Sequence, residues 1–184
     1  MGLLGLDRGE FETRLKASMP GAAGLTFNPY LNGERTPDRP DGVGILSGLR
    51  SFHTGTELVR AVVEGVTFGL AHATRALSRA GIEPGAVTLV GGGAASEAWS
   101  QIVADVFRLP VQRPALTEAA ALGAALQVRQ VVGGNVLPTL APGVERWEPR
   151  PTPELIASAA RFEMLPEKSG QAWPQASTPS SART

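Results

Sequence analysis

The sequence predicts an α/β protein in which at least two parallel strands carry helices. Stretches with the period of a helix alternate with short β-branched runs after residue 54, which is the pattern of successive strand–helix units. Three glycines at 91–93 join one such run, at 87–90, to a helical stretch whose apolar residues recur at 99, 102, 103, 106 and 107. The 184 residues, 42% of them hydrophobic, suffice for one ordinary core.

The composition disfavours several classes of function. Lys and Arg together number 17, as do Asp and Glu, so the zero net charge gives no long-range attraction for nucleic acid or an anionic membrane. The chain has no cysteine, which excludes disulfides, thiolate zinc sites and cysteine nucleophiles. No run reaches the roughly 18 apolar residues of a membrane span. The start lacks the basic region of a signal peptide, so a cytoplasmic protein is expected.

Two helix starts carry the spacing of a capping box, in which a side-chain oxygen and a carboxylate three residues later each accept the other's backbone N–H. The pairs are Asp7 with Glu10 and Thr54 with Glu57. The first helix is expected to end near Ala17, and the second, the longest in the chain, near Ala80. Gly65 and Gly69 lie inside the long helix and each costs about 1 kcal/mol relative to alanine. Close packing against another element is the expected reason, and approach of a ligand is the alternative.

The remaining elements follow from the hydrophobic periodicity and from the positions of glycine and proline. The expected strands are 24–28, 44–49, 87–90 and 109–114. The expected later helices are 97–107, 118–126 and 152–165. The helix at 118–126 has an unusually small face, which allows close backbone contact with a neighbouring element. Residues 135–151 are expected to be irregular, and residues 166–184, rich in Ser, Pro, Gln and Gly, to be disordered.

The glycine turn at 91–93 is the strongest candidate for a binding site. Without Cβ atoms a ligand can reach the backbone, and the free N–H groups at the start of the next helix suit a phosphate or a nucleotide. The alternative is geometry alone, since glycine-rich turns between strand and helix are common in α/β proteins. Neither familiar phosphate motif fits, because no Gly-Lys-Ser/Thr follows Gly93 and the last position of the dinucleotide fingerprint is Ser96.

No catalytic constellation is evident in the sequence. His53 and His72 are the only histidines, and both are expected to be surface or packing residues. The carboxylates of the turn-rich loop at 32–42 are expected to be solvated turn formers. On the helix after the glycines, Asp105 is expected in solvent or in a salt bridge, and Trp99 in the core.

Several motifs, in their order along the chain, resemble the FGGY family of carbohydrate kinases. The second signature of this family is similar at every position to Gly44-Ile-Leu-Ser-Gly-Leu49, seven spacer residues, Glu57-Leu58, two more and Ala61-Val-Val-Glu64. The run from Pro29 to Pro37 resembles Pro-Tyr-Leu-Ser-Gly-Glu-Arg-Thr-Pro of the xylulokinases, a subfamily. Further similar segments are 89–94, Trp99, 104–105, 109–111, 121–125 and 147–151. The resemblance covers roughly residues 3–165.

The resemblance implies an actin-like, ribonuclease-H-like ATPase fold of two domains, with ATP and sugar bound between them. The implied reaction moves the γ-phosphoryl group of Mg-ATP to a hydroxyl of a pentulose, most plainly D-xylulose, with a carboxylate as general base. ATP and Mg²⁺ are therefore the implied cofactors. Gly91, Gly92, Gly93 and Ala94 match the loop that receives the adenosine and inner phosphates, and Glu97 matches a position near the adenine. Glu34 and Arg35 belong to a motif shared with the family. The first interpretation is that they anchor the loop, and the second is that they contact the other domain or the substrate.

The same resemblance implies that much of such a kinase is missing from this chain. Residues 1–165 are expected to be an N-terminally truncated C-terminal domain, followed by the tail at 166–184. The general base and most sugar contacts are expected from the N-terminal domain, so no catalytic residue is assigned here and the chain alone is expected to be inactive. An unpaired sheet edge makes a homodimer possible. The alternatives are an inactive nucleotide-binding or interaction module and, less well supported by the motifs, another actin-like ATPase.

Overall fold

The computed structural model describes residues 5–36, 38–115, 118–133 and 145–168, with side chains as far as residue 165. Within these residues the chain forms five α-helices and five short strands. In chain order they are α1 Arg8–Ala17, β1 Thr26–Asn28, β2 Ile45–Ser47, α2 Gly55–Arg79, β3 Val87–Thr88, α3 Glu97–Phe107, β4 Val111–Arg113, α4 Ala119–Val131, β5 Glu145–Trp147 and α5 Pro153–Lys168. Both predicted capping boxes, at the starts of α1 and α2, are confirmed.

Three elements differ from the sequence-based expectation. Strand β5 lies in the stretch expected to be irregular, because its three residues are held by pairing with β4 and not by a local pattern. Helix α4 runs five residues past its expected end, since no proline or glycine follows Leu126 before Gly133. Helix α5 runs three residues past its expected end and continues through Pro166. The expected disordered tail therefore begins inside α5, and its remainder, 169–184, lies outside the described residues.

The strands form two small sheets. Strands β1 and β2 are antiparallel, with Phe27 opposite Leu46. Strand β4 lies between β3, which runs parallel to it, and β5, which runs antiparallel. Because β3 and β4 are joined through α3, they form the predicted parallel pair carrying a helix.

Helix α2 is the centre of the structure. Its apolar side chains contribute to three clusters of buried residues, which also draw on α1, α3, α5 and the chain around β1. The three clusters are Leu6, Leu15, Val59, Val63 and Ile102; Tyr30, Phe68, Leu155 and Phe162; and Ala22, Leu25 and Ala61. A fourth cluster, Val103, Ala104 and Val111, packs α3 against β4.

The two glycines inside α2 differ in their surroundings. A Cβ atom on Gly65 would lie 2.0 Å from the carbonyl oxygen of Phe27, so this glycine allows α2 to touch the backbone of β1. A Cβ atom on Gly69 would meet nothing within 4 Å. The predicted close packing is therefore confirmed at Gly65 and wrong at Gly69.

A buried carboxylate joins three parts of the core. Glu64 of α2 is 1% exposed. It accepts hydrogen bonds from Arg60 (2.6 Å), the backbone N–H of Gly21 (2.8 Å) and the hydroxyl of Ser158 on α5 (2.9 Å). A buried charge is tolerated when it is paired and fully hydrogen-bonded, and here those bonds fix α5 and the turn before β1 onto α2.

Helix α4 has no buried residue. A Cβ atom on Gly123 would meet nothing within 4 Å, so among the described residues no neighbouring element uses the close approach that the small side chains allow at this position. The small side chains permit a close approach, but the described part of the chain supplies no element to make it. Among those residues, none of the helices is both long enough and apolar enough to span a bilayer.

Candidate functional site

The glycine turn connects β3 to α3, as predicted, through an intervening 3-10 turn at Gly92–Ala95. The turn is closed by hydrogen bonds from the N–H of Ala94 to Gly91 and from the N–H of Ser96 to Gly93, both 3.1 Å. We call residues 91–96 the glycine loop. Its first residues are exposed, while Ala94 is buried.

The three glycines of the loop differ in backbone conformation and in surroundings. Gly91 has a φ of +85°, which side chains rarely adopt. A Cβ atom on Gly93 would lie 2.7 Å from the ring of Trp99, so this glycine makes room for the indole. Gly92 has an ordinary φ and nothing within 4 Å of a built Cβ. Neither backbone strain nor packing explains Gly92, and its open face is where a ligand has direct access to the loop backbone.

An arginine on β4 holds the back of the loop. Arg113 donates a hydrogen bond of 2.6 Å to the carbonyl oxygen of Ala94 and forms an ion pair with Glu145 of β5. Its guanidinium carbon lies 5.3 Å from the ring centroid of Trp147, within the range of a cation–π interaction. This arrangement leaves no signal in the sequence, because Arg113 and Glu145 face each other only once β5 pairs with β4.

The start of α3 is bonded within the protein. Ser96 accepts a hydrogen bond from the N–H of Trp99 (3.0 Å) and donates one to Glu12 of α1 (2.5 Å). The N–H of Ala98 also donates to Glu12, at 3.3 Å. The expectation that the first N–H groups of this helix are free for a phosphate is therefore wrong at these positions, because a carboxylate from α1 already takes the place of an anion.

Glu97 lies beside the glycine loop and pairs with α1. Its carboxylate accepts a hydrogen bond of 2.9 Å from Lys16, and 61% of its side chain is exposed. The hydrogen bond and the charge of Lys16 lower the pKa of Glu97, and Glu97 in turn raises the pKa of Lys16. Glu97 is thus an ionised, exposed side chain next to the glycine loop.

Residues 7–128 match the model of the FGGY family of carbohydrate kinases, C-terminal domain. The chain belongs to this family. The matched residues include the glycine loop, both residues of α1 that hold the start of α3, and most of α4. The fold is that of the actin-like ATPases.

The proteins that the chain matches are named as kinases of different sugars. The chain is 37% identical over 169 residues to a xylulose kinase of Streptomyces rubiginosus, covering 91% of this chain and 33% of the relative. It is 38% identical over 126 residues to a gluconokinase of Bacillus licheniformis, covering 67% of this chain and 25% of the relative. The crystal structure of a protein described as a xyloylose kinase from Brucella ovis superposes with a TM-score of 0.80 at 26% identity, covering 91% of this chain and 37% of that one. The chain therefore spans only about a third of the length of the xylulose kinase and a quarter of the length of the gluconokinase.

The other candidate residues of this FGGY domain have structural partners. Trp99 donates its indole N–H to Thr67 at 3.0 Å and packs on two core clusters, as expected. His53 accepts the N–H of Arg50 at 2.8 Å. His72 lies 3.1 Å from Glu163, beside Phe162.

Two carboxylates outside the glycine loop are likewise bonded to other groups of the protein. Asp105, with a side chain only 2% exposed, forms an ion pair with Arg150, which fits the salt-bridge expectation and not the solvent one. Glu34 accepts the N–H groups of Arg35 and Thr36, at 2.7 and 3.2 Å, as the loop-anchor interpretation predicts. In the part of the chain that the structure describes, no group of three or more His, Asp and Glu residues is arranged to hold a metal ion.

Proposed function

We propose that this domain is the nucleotide-binding side of an ATP-dependent sugar kinase that phosphorylates a pentulose, D-xylulose in the first instance. The observation that carries the proposal is the open face at Gly92, in a loop whose other two glycines have structural reasons. A backbone free of Cβ atoms suits close approach by the inner phosphates and ribose of a nucleotide. Membership of a kinase family supports the same ligand.

Roles can be proposed for each residue of the site. Gly91 and Gly92 would lie against the adenosine and inner phosphates, and Gly93 would keep the turn in place over Trp99. Ala94 would hold the loop through its bond to Arg113. Glu97 would border the adenine, steered by Lys16. Mg²⁺ would arrive with the nucleotide, bound to its phosphates.

The choice of sugar rests on the relatives. The match to a xylulose kinase covers 91% of this chain, compared with 67% for the gluconokinase at nearly equal identity. A chain that spans a third of a relative also leaves most of the sugar contacts and the general base to the remaining polypeptide. We therefore expect no phosphoryl transfer by these residues alone, and we propose the cytoplasm as the compartment because the reaction consumes ATP.

Gly92→Ala tests the nucleotide site directly. Alanine fits the backbone at this position and touches nothing, so the fold should not change, but the new methyl group would occupy the proposed contact with the nucleotide. We expect the affinity for ADP and Mg-ATP, measured by calorimetry, to fall about tenfold, which corresponds to roughly 1.4 kcal/mol. Gly85→Ala is the matched control, since a Cβ there also meets nothing within 4 Å.

The outcomes separate the alternatives. Equal affinity of wild type and Gly92→Ala would move the nucleotide away from the glycine loop. No heat from the wild type at millimolar nucleotide would contradict nucleotide binding altogether. If nucleotide binds but D-xylulose is not phosphorylated once the missing part of a kinase is supplied, the inactive nucleotide-binding module is the better description.

A further inference from the structure

We propose that a cavity between α2, the end of α3 and the start of α5 is a second ligand site, which takes a small organic phosphate or carboxylate with an apolar body. No residue of the glycine loop lines this cavity, and Glu97 does not line it either. The loop precedes α3, whereas the cavity lies at the other end of that helix, which is roughly 16 Å long. The site is therefore separate from the proposed nucleotide site and does not rest on the function proposed above.

The cavity has the size and the apolar wall of a small-molecule site. Its volume is about 670 Å³. Ligand pockets typically measure roughly 300–1,000 Å³ and are lined mainly by apolar side chains, with a few polar groups that fix orientation. Phe68 of α2, Val106 of α3 and Leu155 of α5 contribute to the lining, beside Ile156, which is 57% exposed. An apolar body in the cavity would cover Ile156 and rest against the core of the domain.

The charged part of the lining is mostly cationic. Arg75 of α2, Arg108 at the end of α3 and Arg150 before α5 line the cavity, which we call the arginine cavity. Asp105 is the one carboxylate in its lining among the described residues. Glu163 bonds Arg75 from outside the lining, so three arginines still face only two carboxylates. The chain as a whole has zero net charge, and this positive excess is therefore local.

The arginines keep donor groups for a ligand. Arg75 bonds Glu163 through Nη1 alone, at 2.5 Å, and Arg150 contacts Asp105 through Nη2 and Nε, at 2.9 and 3.5 Å. Arg108 is exposed, and its side chain has no hydrogen bond or ion pair within the described part of the chain. Guanidinium groups bind the oxygens of phosphates and carboxylates in pairs. An anionic head group can therefore be bound here while both existing ion pairs persist.

The backbone at Arg108 suits glycine better than arginine. Its φ of +55° and ψ of +33° place it in the left-handed region at the end of α3. Glycine is the usual residue at such a helix end, because it has no Cβ atom. A cation there also complements the partial negative charge at the end of the helix, which is the structural alternative for this residue. Binding of an anion, and not stability, separates the two interpretations.

The experiment is calorimetric titration of this chain with three probes that share one apolar body. We expect 1-naphthyl phosphate and 1-naphthoate to bind, the tighter of them identifying the preferred head group, and the neutral 1-naphthol to bind at least tenfold more weakly. Arg108→Gly and Arg108→Gln should each weaken binding of the anions about tenfold. Arg108→Gly should melt no lower than the wild type, since glycine fits this backbone. Arg129→Gln, at an exposed arginine of α4, removes the same charge elsewhere and should bind like the wild type.

Each contrary result overturns the proposal. The wild type may release no heat with either anion at millimolar concentration, or it may bind 1-naphthol as tightly as the anions. An equal loss of affinity in Arg129→Gln would reduce the effect to net charge, and a loss in Gly92→Ala would move the probes to the glycine loop. Unchanged affinity in both Arg108 variants would leave Arg108 with its helix-end role only. No nucleotide is present in these titrations, so failure of the proposed function leaves their outcome unaffected.

Discussion

Helices α2 and α4 are both rich in apolar side chains and differ completely in burial. Nine residues of α2 are buried, whereas α4 has none. Helix α2 begins with a complete capping box, whereas Glu118, the residue before α4, makes no side-chain cap. The difference teaches that an apolar pattern leads to burial only where the chain also supplies the opposing surface, because tertiary packing and not propensity provides most of a helix's stability.

The largest effect is expected at the buried charge of α2. Glu64→Ala leaves Arg60 without its carboxylate inside the core and frees the N–H of Gly21, so the free energy of unfolding should fall by about 3–5 kcal/mol. Urea denaturation at neutral pH measures it. Glu163→Ala is the control, because its ion pair with Arg75 is about half exposed and should contribute about 0–1 kcal/mol. Similar small losses for both variants would mean that the Glu64 network does not hold α2 to α5.

A pair of glycine substitutions sharpens the comparison along α2 itself. Gly65→Ala forces a methyl group against the carbonyl oxygen of Phe27 and should destabilise by about 1–3 kcal/mol. Gly69→Ala, one turn later in open space, should stabilise by up to about 1 kcal/mol, and Gly123→Ala in α4 should do the same. Chemical denaturation of the three variants gives the signs. A stable Gly65→Ala would show that α2 and β1 do not touch as described.

The smallest expected effect is the pH dependence of the stability that the capping box contributes to α2, a cap that α4 lacks. The hydrogen bond from the hydroxyl of Thr54 is the main cause that lowers the pKa of Glu57. A carboxyl group with a lowered folded-state pKa contributes stability above its unfolded pKa and loses it as the pH falls through the folded value. Glu57→Gln keeps the capping geometry without the charge. The wild type should therefore exceed this variant in melting temperature at pH 7, and the difference should shrink as the pH falls through the lowered pKa of Glu57, below the ordinary pKa of a glutamate. A difference independent of pH would contradict the ionised cap.

Local patterns predicted much of the fold. The capping boxes at Asp7 and Thr54 were readable because both partners lie within one turn of a helix, and the turn at 91–93 because glycine punctuates a change of period. Strand β5 was missed because its three residues carry no alternation that distinguishes them from a loop. It exists through its pairing with β4, which no local window contains.

In the candidate site, too, the locally encoded part was predictable from the sequence and the long-range contacts were not. The glycine loop was predicted, but the residues that hold it were not: Glu12 is 84 residues from Ser96, and Arg113 is 19 residues from Ala94. Hydrogen bonds over such separations leave no periodic trace in a single sequence. For the same reason the sequence could not show that Glu12 of α1 accepts hydrogen bonds from the start of α3. Because those groups are already bonded, the backbone left open to a ligand is that of Gly92 and its neighbours in the loop.

The contact between Gly93 and Trp99 gives the loop an optical property. The indole ring lies against the loop backbone on one face, and its N–H is fixed by Thr67 on the core side. A second tryptophan, Trp147, lies under Arg113, which holds the carbonyl of Ala94. Of the three tryptophans of the chain, Trp99 thus contacts the loop directly, and Trp147 is linked to it through Arg113. Their emission is an intrinsic, label-free signal for any event that moves the glycines.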